Sequence, residues 1–167
     1  MAIRPFRAAG ATGPADWSAA RDLLVAAADA AGRLVLPFFR HGAETTASIG
    51  WKGGQSPVTE ADHAADAFLR ERLTGEFPGA AWLSEETADD RVRLDAARLL
   101  IVDPIDGTRA FMTGDPRWAV CAALVVAGRP VAGVVHLPAL GETYAAAAGA
   151  GARLNGAPIA ASRRTEL

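Results

Sequence analysis

Apolar residues recur at helical spacing only before Pro78, and from Trp82 onward they come in short runs broken by glycine, proline and an Asn-Gly pair. A chain written in that order is an α+β domain, with early helices laid over a sheet built from later hairpins. The first helix spans Asp16 to about Arg40, with Leu24, Ala27, Ala31, Leu34, Val35 and Phe38 on one face and Arg21, Asp22, Asp29 and Arg33 on the other. Pro37 should kink or end it, and His41-Gly42 reads as its stop, with His41 a favourable charge at a helix C-terminus. The second helix opens at Thr59-Glu60-Ala61-Asp62, a hydroxyl N-cap with an acid three residues on. It carries Ala61, Ala65, Phe68, Leu69 and Leu73 at helical spacing and ends before Pro78.

Ile49, Trp51 and Lys52 predict a short strand entering Gly53-Gly54-Gln55-Ser56-Pro57, whose glycines and proline predict a flexible, exposed turn. Trp82-Leu83 and Leu99 to Val102 read as strands, separated by a charged loop or short helix from Ala88 to Arg98. Trp118 to Val126 and Val131 to His136 form a hairpin around Ala127-Gly128-Arg129-Pro130. Glu142 to Ala147 and Ala152 to Leu154 make a further pair, followed by the Asn155-Gly156 turn, and the tail from Ser162 shows no closing element. The expected architecture is an antiparallel sheet covered by two long helices. Residues 1–15 read as a flexible terminus, and residues 16–167 as one domain.

Half of the 167 residues are apolar and the formal net charge is −2, which excludes a disordered chain and a basic surface for a nucleic-acid polymer. No apolar run approaches the roughly 18 residues that a membrane helix needs, so no membrane partner is expected. The single cysteine, Cys121, lies in an apolar run and reads as a structural thiol of a reducing cytoplasm.

Chemistry concentrates at the end of the Leu99 to Val102 strand, in Asp103-Pro104-Ile105-Asp106-Gly107-Thr108. Two carboxylates three residues apart, with the Ile105 carbonyl between them, offer hard oxygen donors of the kind that select Mg²⁺ or Mn²⁺. Alone, such a segment is equally an Asp-rich turn. Partners are available: Asp62 at a helix start and Glu85 at the end of a neighbouring strand. Each has a plainer reading, Asp62 as a cap and Glu85-Glu86 as solvated loop charges. If a short helix begins after Asp106, the Gly107 and Thr108 amides form an anion site. A cation cluster beside an anion site describes metal-assisted phosphate chemistry, in which two divalent ions about 4 Å apart act on a phosphoryl group. Haloacid-dehalogenase-type phosphatases carry Asp-x-Asp after an apolar strand. The spacing here is one residue longer, which disfavours a covalent aspartyl-phosphate route.

Three ordered segments, Ser-Pro-Val-Thr-Glu-Ala-Asp (56 to 62), Leu-Ser-Glu-Glu (83 to 86) and Asp-Pro-Ile-Asp-Gly-Thr-Arg-Ala-Phe (103 to 111), resemble the inositol monophosphatase superfamily of Mg²⁺-dependent, lithium-sensitive phosphatases. Gly133-Val134-Val135, Pro138, Gly149 to Gly151 and Asn155-Gly156 resemble its next strands and turns.

The resemblance implies a phosphoric monoester hydrolase acting on a small phosphorylated metabolite, with two or three Mg²⁺ ions or Mn²⁺ in their place. It implies that Glu85, Asp103 and the Ile105 carbonyl hold a first ion, and Asp103 and Asp106 a second. Thr108, coupled to Asp62 and near Glu85, would position the attacking water. The Gly107 and Thr108 amides would hold the phosphate, and Lys52 would belong to a loop near the metals.

Leu-Ser-Glu-Glu inclines the resemblance toward the 3'(2'),5'-bisphosphate nucleotidase branch, since the inositol branch more often has Gly before the Glu pair. Thr-Arg-Ala-Phe departs from that nucleotidase branch, and histidinol-phosphatase-like members have similar segments. The family's second α/β domain carries a Trp-Asp-x-Ala-Ala motif, whereas Trp17, Trp51, Trp82 and Trp118 are followed here by Ser, Lys, Leu and Ala. The chain therefore reads as a first domain bearing most of the metal site, with the second domain missing and a homodimer as one candidate assembly. The competing expectation is a non-catalytic metal- or phosphate-binding fragment.

Overall fold

The computed structural model describes residues 16–53 and 56–164. The expectation for residues 1–15, part of the predicted turn at 54–55 and the last residues of the tail lie outside them. Helix α1 runs Ser18–Val35 and buries Leu24, Ala27, Ala28, Ala31 and Val35. It is shorter than its apolar spacing predicts. Pro37 brings no backbone N–H, and the chain tightens into a 3-10 turn over Leu36–Phe38.

Strands β1 (Ile49–Lys52) and β2 (Ser56–Thr59) form a separate antiparallel ribbon. Ser56 and Pro57, read from sequence as part of a turn, belong to β2, with Pro57 opposite Trp51. A proline is tolerated there because a two-stranded ribbon has only edge strands. Helix α2 (Glu60–Glu76) follows directly and buries Ala61, Ala65, Leu69 and Leu73.

The main sheet has seven strands in chain order: β3 (Ala81–Ser84), β4 (Arg98–Asp106), β5 (Ala119–Val126), β6 (Arg129–Leu137), β7 (Glu142–Ala147), β8 (Gly151–Leu154) and β9 (Ala157–Ile159). A short helix, α3 (Thr108–Thr113), lies between β4 and β5. The α+β class holds. One pair departs from the antiparallel expectation: β3 runs parallel to β4, with Ser84 opposite Val102. The crossover over residues 85–97, which includes a 3-10 turn at Arg91–Asp95, is long enough to reverse the chain for a parallel pairing. Because the two strands are parallel, both end at the same edge, and Glu85 leaves β3 beside Asp103 of β4.

Alternation along the strands divides the sheet. Leu100, Val102, Val120, Ala122, Leu124 and Val134 face the helices and form the core with them. Each fully buried leucine there contributes about 1.5–3 kcal/mol over leaving it exposed. On the opposite face Ile101, Val135 and Tyr144 are exposed beside an open cleft of about 450 Å³ that also meets Cys121 and Asp103. Among the described residues no helix is long and apolar enough to cross a membrane.

Candidate metal and phosphate site

Strand β4 does not stop before the acidic segment but carries it. Asp103 pairs with Cys121 and Asp106 with Ala119, so β4 holds one residue more than its partner and bulges at Pro104-Ile105. Pro104 has no N–H to give the ladder, which suits a bulge. Ile105 is buried, Asp103 is half-buried and Asp106 is exposed.

The turn out of β4 needs glycine. Gly107 has φ +88°, and a Cβ there would lie 3.2 Å from the Arg117 carbonyl oxygen. Helix α3 starts at Thr108 and ends at Gly114, where φ is +79° and a Cβ would come within 2.4 Å of backbone atoms of Arg40 and Ala43. Beneath it Phe111 packs edge-on to Trp118 at 4.9 Å between centroids, and Phe39 sits 5.9 Å from Phe111. These rings hold α3, and with it Thr108, against the core.

Asp62 caps α2, as its sequence position predicts, and it also touches Thr108. Asp62 Oδ2 accepts from the Thr59 amide at 2.7 Å and the Thr59 hydroxyl at 2.6 Å, closing the capping box of α2. Its Oδ1 accepts from the Thr108 hydroxyl at 3.3 Å, and Thr108 can alternatively donate to the Ile105 carbonyl at 3.2 Å. Asp62 is fully buried, so this carboxylate has no solvent to share its charge.

Asp103 is the electrostatic centre. Burial, followed by the negative charges of Glu85 and Asp106, a hydrogen bond to Glu85 and the charge of Asp62, pushes its carboxyl up to about 7. Three other acids thus lie close enough to Asp103 to raise it. Burial, with Asp106 and Asp103 nearby, also pushes the Cys121 thiol up to about 12, which fits a structural thiol.

Glu85, Asp103, Asp106 and Asp62 are therefore brought together, with Thr108 and the Gly107 turn alongside. Lys52 is elsewhere engaged: its ammonium pairs with Glu86 and donates to the Glu85 carbonyl at 3.3 Å. Glu86, which sequence reading grouped with loop charges, has a side chain only 3% exposed. A second residue not anticipated is Asp66, whose carboxylate accepts from the Ser84 and Thr87 hydroxyls on either side of the Glu pair. Its only sequence signal is its place one helical turn after Asp62, on the same face of α2.

A hard divalent cation fits this donor set. All donors are oxygens, and the crowding that raises Asp103 is the charge imbalance that such an ion relieves. Among the described residues no three acids, histidines or cysteines close round one point as a finished cage.

The comparisons with known proteins give the class and then the family. The chain is 39% identical over 139 residues to a histidinol-phosphatase of Chlorobaculum parvum, covering 83% of this chain and 52% of that protein. It is 46% identical over 98 residues to a 3'-phosphoadenosine 5'-phosphate phosphatase of Mycobacterium leprae, covering 58% of this chain and 34% of that protein. Among solved structures, an IMPase of Thermotoga maritima superposes with a TM-score of 0.77 at 32% identity, covering 87% of this chain and 55% of that one. The first two of these relatives are named as phosphatases, and that is the class of protein this chain resembles. The inositol monophosphatase family profile matches residues 16–167, and the chain belongs to that family. It spans about half the length of curated relatives that it matches over most of its own length.

Proposed function

We propose that residues 16–167 bear most of the site of a Mg²⁺-dependent phosphomonoesterase that cleaves a small phosphorylated metabolite by direct attack of water. The observation that carries this reading is the elevated Asp103, crowded by Glu85, Asp106 and Asp62 next to the Thr108–Asp62 contact. When bound, the divalent ions supply neutralising charge and lower the pKa of water.

The chain's own residues do the rest. Glu85, Asp103, Asp106 and the Ile105 carbonyl would hold the ions. Asp62 is an acceptor fixed by the helix cap, and it keeps the Thr108 hydroxyl oriented toward the attacking water. The Gly107 and Thr108 amides, at the turn into α3, bind phosphate oxygens. Lys52, paired with Glu86 and donating to the Glu85 carbonyl, ties the β1–β2 ribbon to the acidic strand end. The Asp-Pro-Ile-Asp spacing, one residue longer than Asp-x-Asp and accommodated by the β4 bulge, supports water over aspartate as nucleophile.

Ser84 before Glu85-Glu86 favours a bisphosphonucleotide, with inositol phosphate and histidinol phosphate as the other candidates. Phosphate release from 3'-phosphoadenosine 5'-phosphate, inositol 1-phosphate and histidinol phosphate, with Mg²⁺ and with added lithium, tests this. Lithium-sensitive turnover highest on the bisphosphonucleotide is expected, and turnover unaffected by removing Mg²⁺ would refute the reading. The unclosed arrangement of acids favours one other reading, a metal- or phosphate-binding module without turnover. Calorimetric Mg²⁺ binding with no phosphate release from any of the three would select it.

A further inference from the structure

We propose that Asp66 is a positioning residue that clamps the end of β3 and thereby aims Glu85 at the acidic site; this rests on the cation reading above. Asp66 lies one helical turn after Asp62 on α2 and is 9% exposed. Its Oδ1 accepts from the Ser84 hydroxyl at 2.5 Å and its Oδ2 from the Thr87 hydroxyl at 2.7 Å. The Ser84 oxygen in turn accepts from the Glu86 amide at 3.2 Å.

These contacts fasten the chain at residues 84, 86 and 87, so Glu85 projects from a segment pinned on both sides. Lys52 adds a further tie through the Glu85 carbonyl. The bend over residues 85–87 has no strand pairing of its own, since β3 ends at Ser84.

Stability alone does not explain a carboxylate at this place. Burying a charge is unfavourable unless it is paired, and among the described residues Asp66 forms no ion pair with Lys or Arg. A buried apolar side chain on that face of α2 would pack without this penalty. What the carboxylate provides is two acceptors at fixed separation, matched to two hydroxyls three residues apart. Helix α2 thus serves the site twice, through Asp62 to Thr108 and through Asp66 to the Glu85 segment.

The test uses the 167-residue chain and two readouts, amide hydrogen exchange at residues 85–87 without metal and Mn²⁺ affinity by electron paramagnetic resonance. In Asp66→Ala, exchange at Glu85 to Thr87 should rise, and Mn²⁺ affinity should fall by about tenfold, the usual cost of losing a partner that orients a ligand. The pair Ser84→Ala and Thr87→Val together should reproduce both effects, and adding Asp66→Ala to it should change little more. Asp66→Asn, which keeps one acceptor, should recover part of the loss. Leu73→Ala, a core truncation farther along α2, should lower stability yet leave Mn²⁺ affinity within about twofold. Unchanged exchange at 85–87 in Asp66→Ala would overturn the clamp, and raised exchange with unchanged Mn²⁺ affinity would overturn its role in aiming Glu85. If the unaltered chain binds no Mn²⁺ while exchange still rises in Asp66→Ala, the clamp stands and the cation reading falls.

Discussion

Asp62 and Thr108 stand 46 positions apart in the chain and meet side chain to side chain, the Thr108 hydroxyl donating to Asp62 Oδ1 at 3.3 Å. The other oxygen of the same carboxylate closes the cap of α2. One buried acid therefore ties the start of a core helix to the start of α3, and its two oxygens should separate by mutation.

Thr108→Val removes the hydroxyl that reaches Asp62 and the Ile105 carbonyl but leaves the α2 cap intact. Urea unfolding should show a loss of about 1 kcal/mol or less, whereas phosphate release should fall about 100-fold or more. Asp62→Ala should lose activity and also about 2 kcal/mol of stability, because the cap and its hydrogen-bonded partners go with it. Equal stability losses in the two variants would mean that Asp62 does not divide its work in this way.

Asp103 makes stability depend on pH in a specific direction. Its carboxyl titrates near 3.8 when unperturbed and is pushed up to about 7 in the fold. Between those values the folded chain holds more protons than the unfolded one, so metal-free stability from this group is full below about pH 4 and is lost as pH rises toward 7. Urea melts in EDTA should show that decline, and Asp103→Asn should flatten it and be more stable than the parent at pH 8. Saturating Mg²⁺ should restore the parent at pH 8, by about 2.7 kcal/mol at a hundredfold excess over Kd, and should have much less effect on Asp103→Asn.

The Lys52–Glu86 pair joins the β1–β2 ribbon to the acidic strand end, with the Glu86 side chain almost wholly enclosed. Lys52→Met should cost about 3 kcal/mol or more, since it leaves a buried carboxylate alone. Adding Glu86→Leu to that variant should recover most of the loss, a result that a double-mutant cycle in urea reads directly. No recovery would show that the cost lies in the ribbon itself.

Two glycines should respond oppositely to alanine. Gly114 has φ +79° and backbone atoms of Arg40 and Ala43 within 2.4 Å of a Cβ, so Gly114→Ala should destabilise by more than about 2 kcal/mol and loosen α3. Gly75, inside α2, has open space around it, and Gly75→Ala should stabilise by about 0.5–1 kcal/mol. Thermal melts of the two variants distinguish these signs.

Much of this molecule is readable in its sequence because the relevant signals are local. The Thr59 to Asp62 cap, the apolar spacing after it and the Asn155-Gly156 turn all act within a few residues, and each forms as expected. Strand direction is not local. An apolar run carries no mark of which way its neighbour points, so the parallel β3–β4 pair emerges only from the crossover, although it is what brings Glu85 beside Asp103. The short strand β9 was hidden in Ala157-Pro158-Ile159, too brief and too proline-interrupted to show a period. Glu86 reads as a solvated charge because polar residues after a strand usually are, and Asp66 carries no local signal beyond its place one turn after Asp62. Their burial comes from partners 18 positions away for Asp66 and across a second sheet for Glu86.

The most direct test of the central claim is Mg²⁺-dependent phosphate release measured side by side for the unaltered chain and for Asp103→Asn, across the three candidate substrates. Turnover that rises with Mg²⁺, falls with lithium and drops at least about 100-fold in Asp103→Asn is the predicted result. Turnover that survives EDTA, or that Asp103→Asn leaves intact, would contradict it.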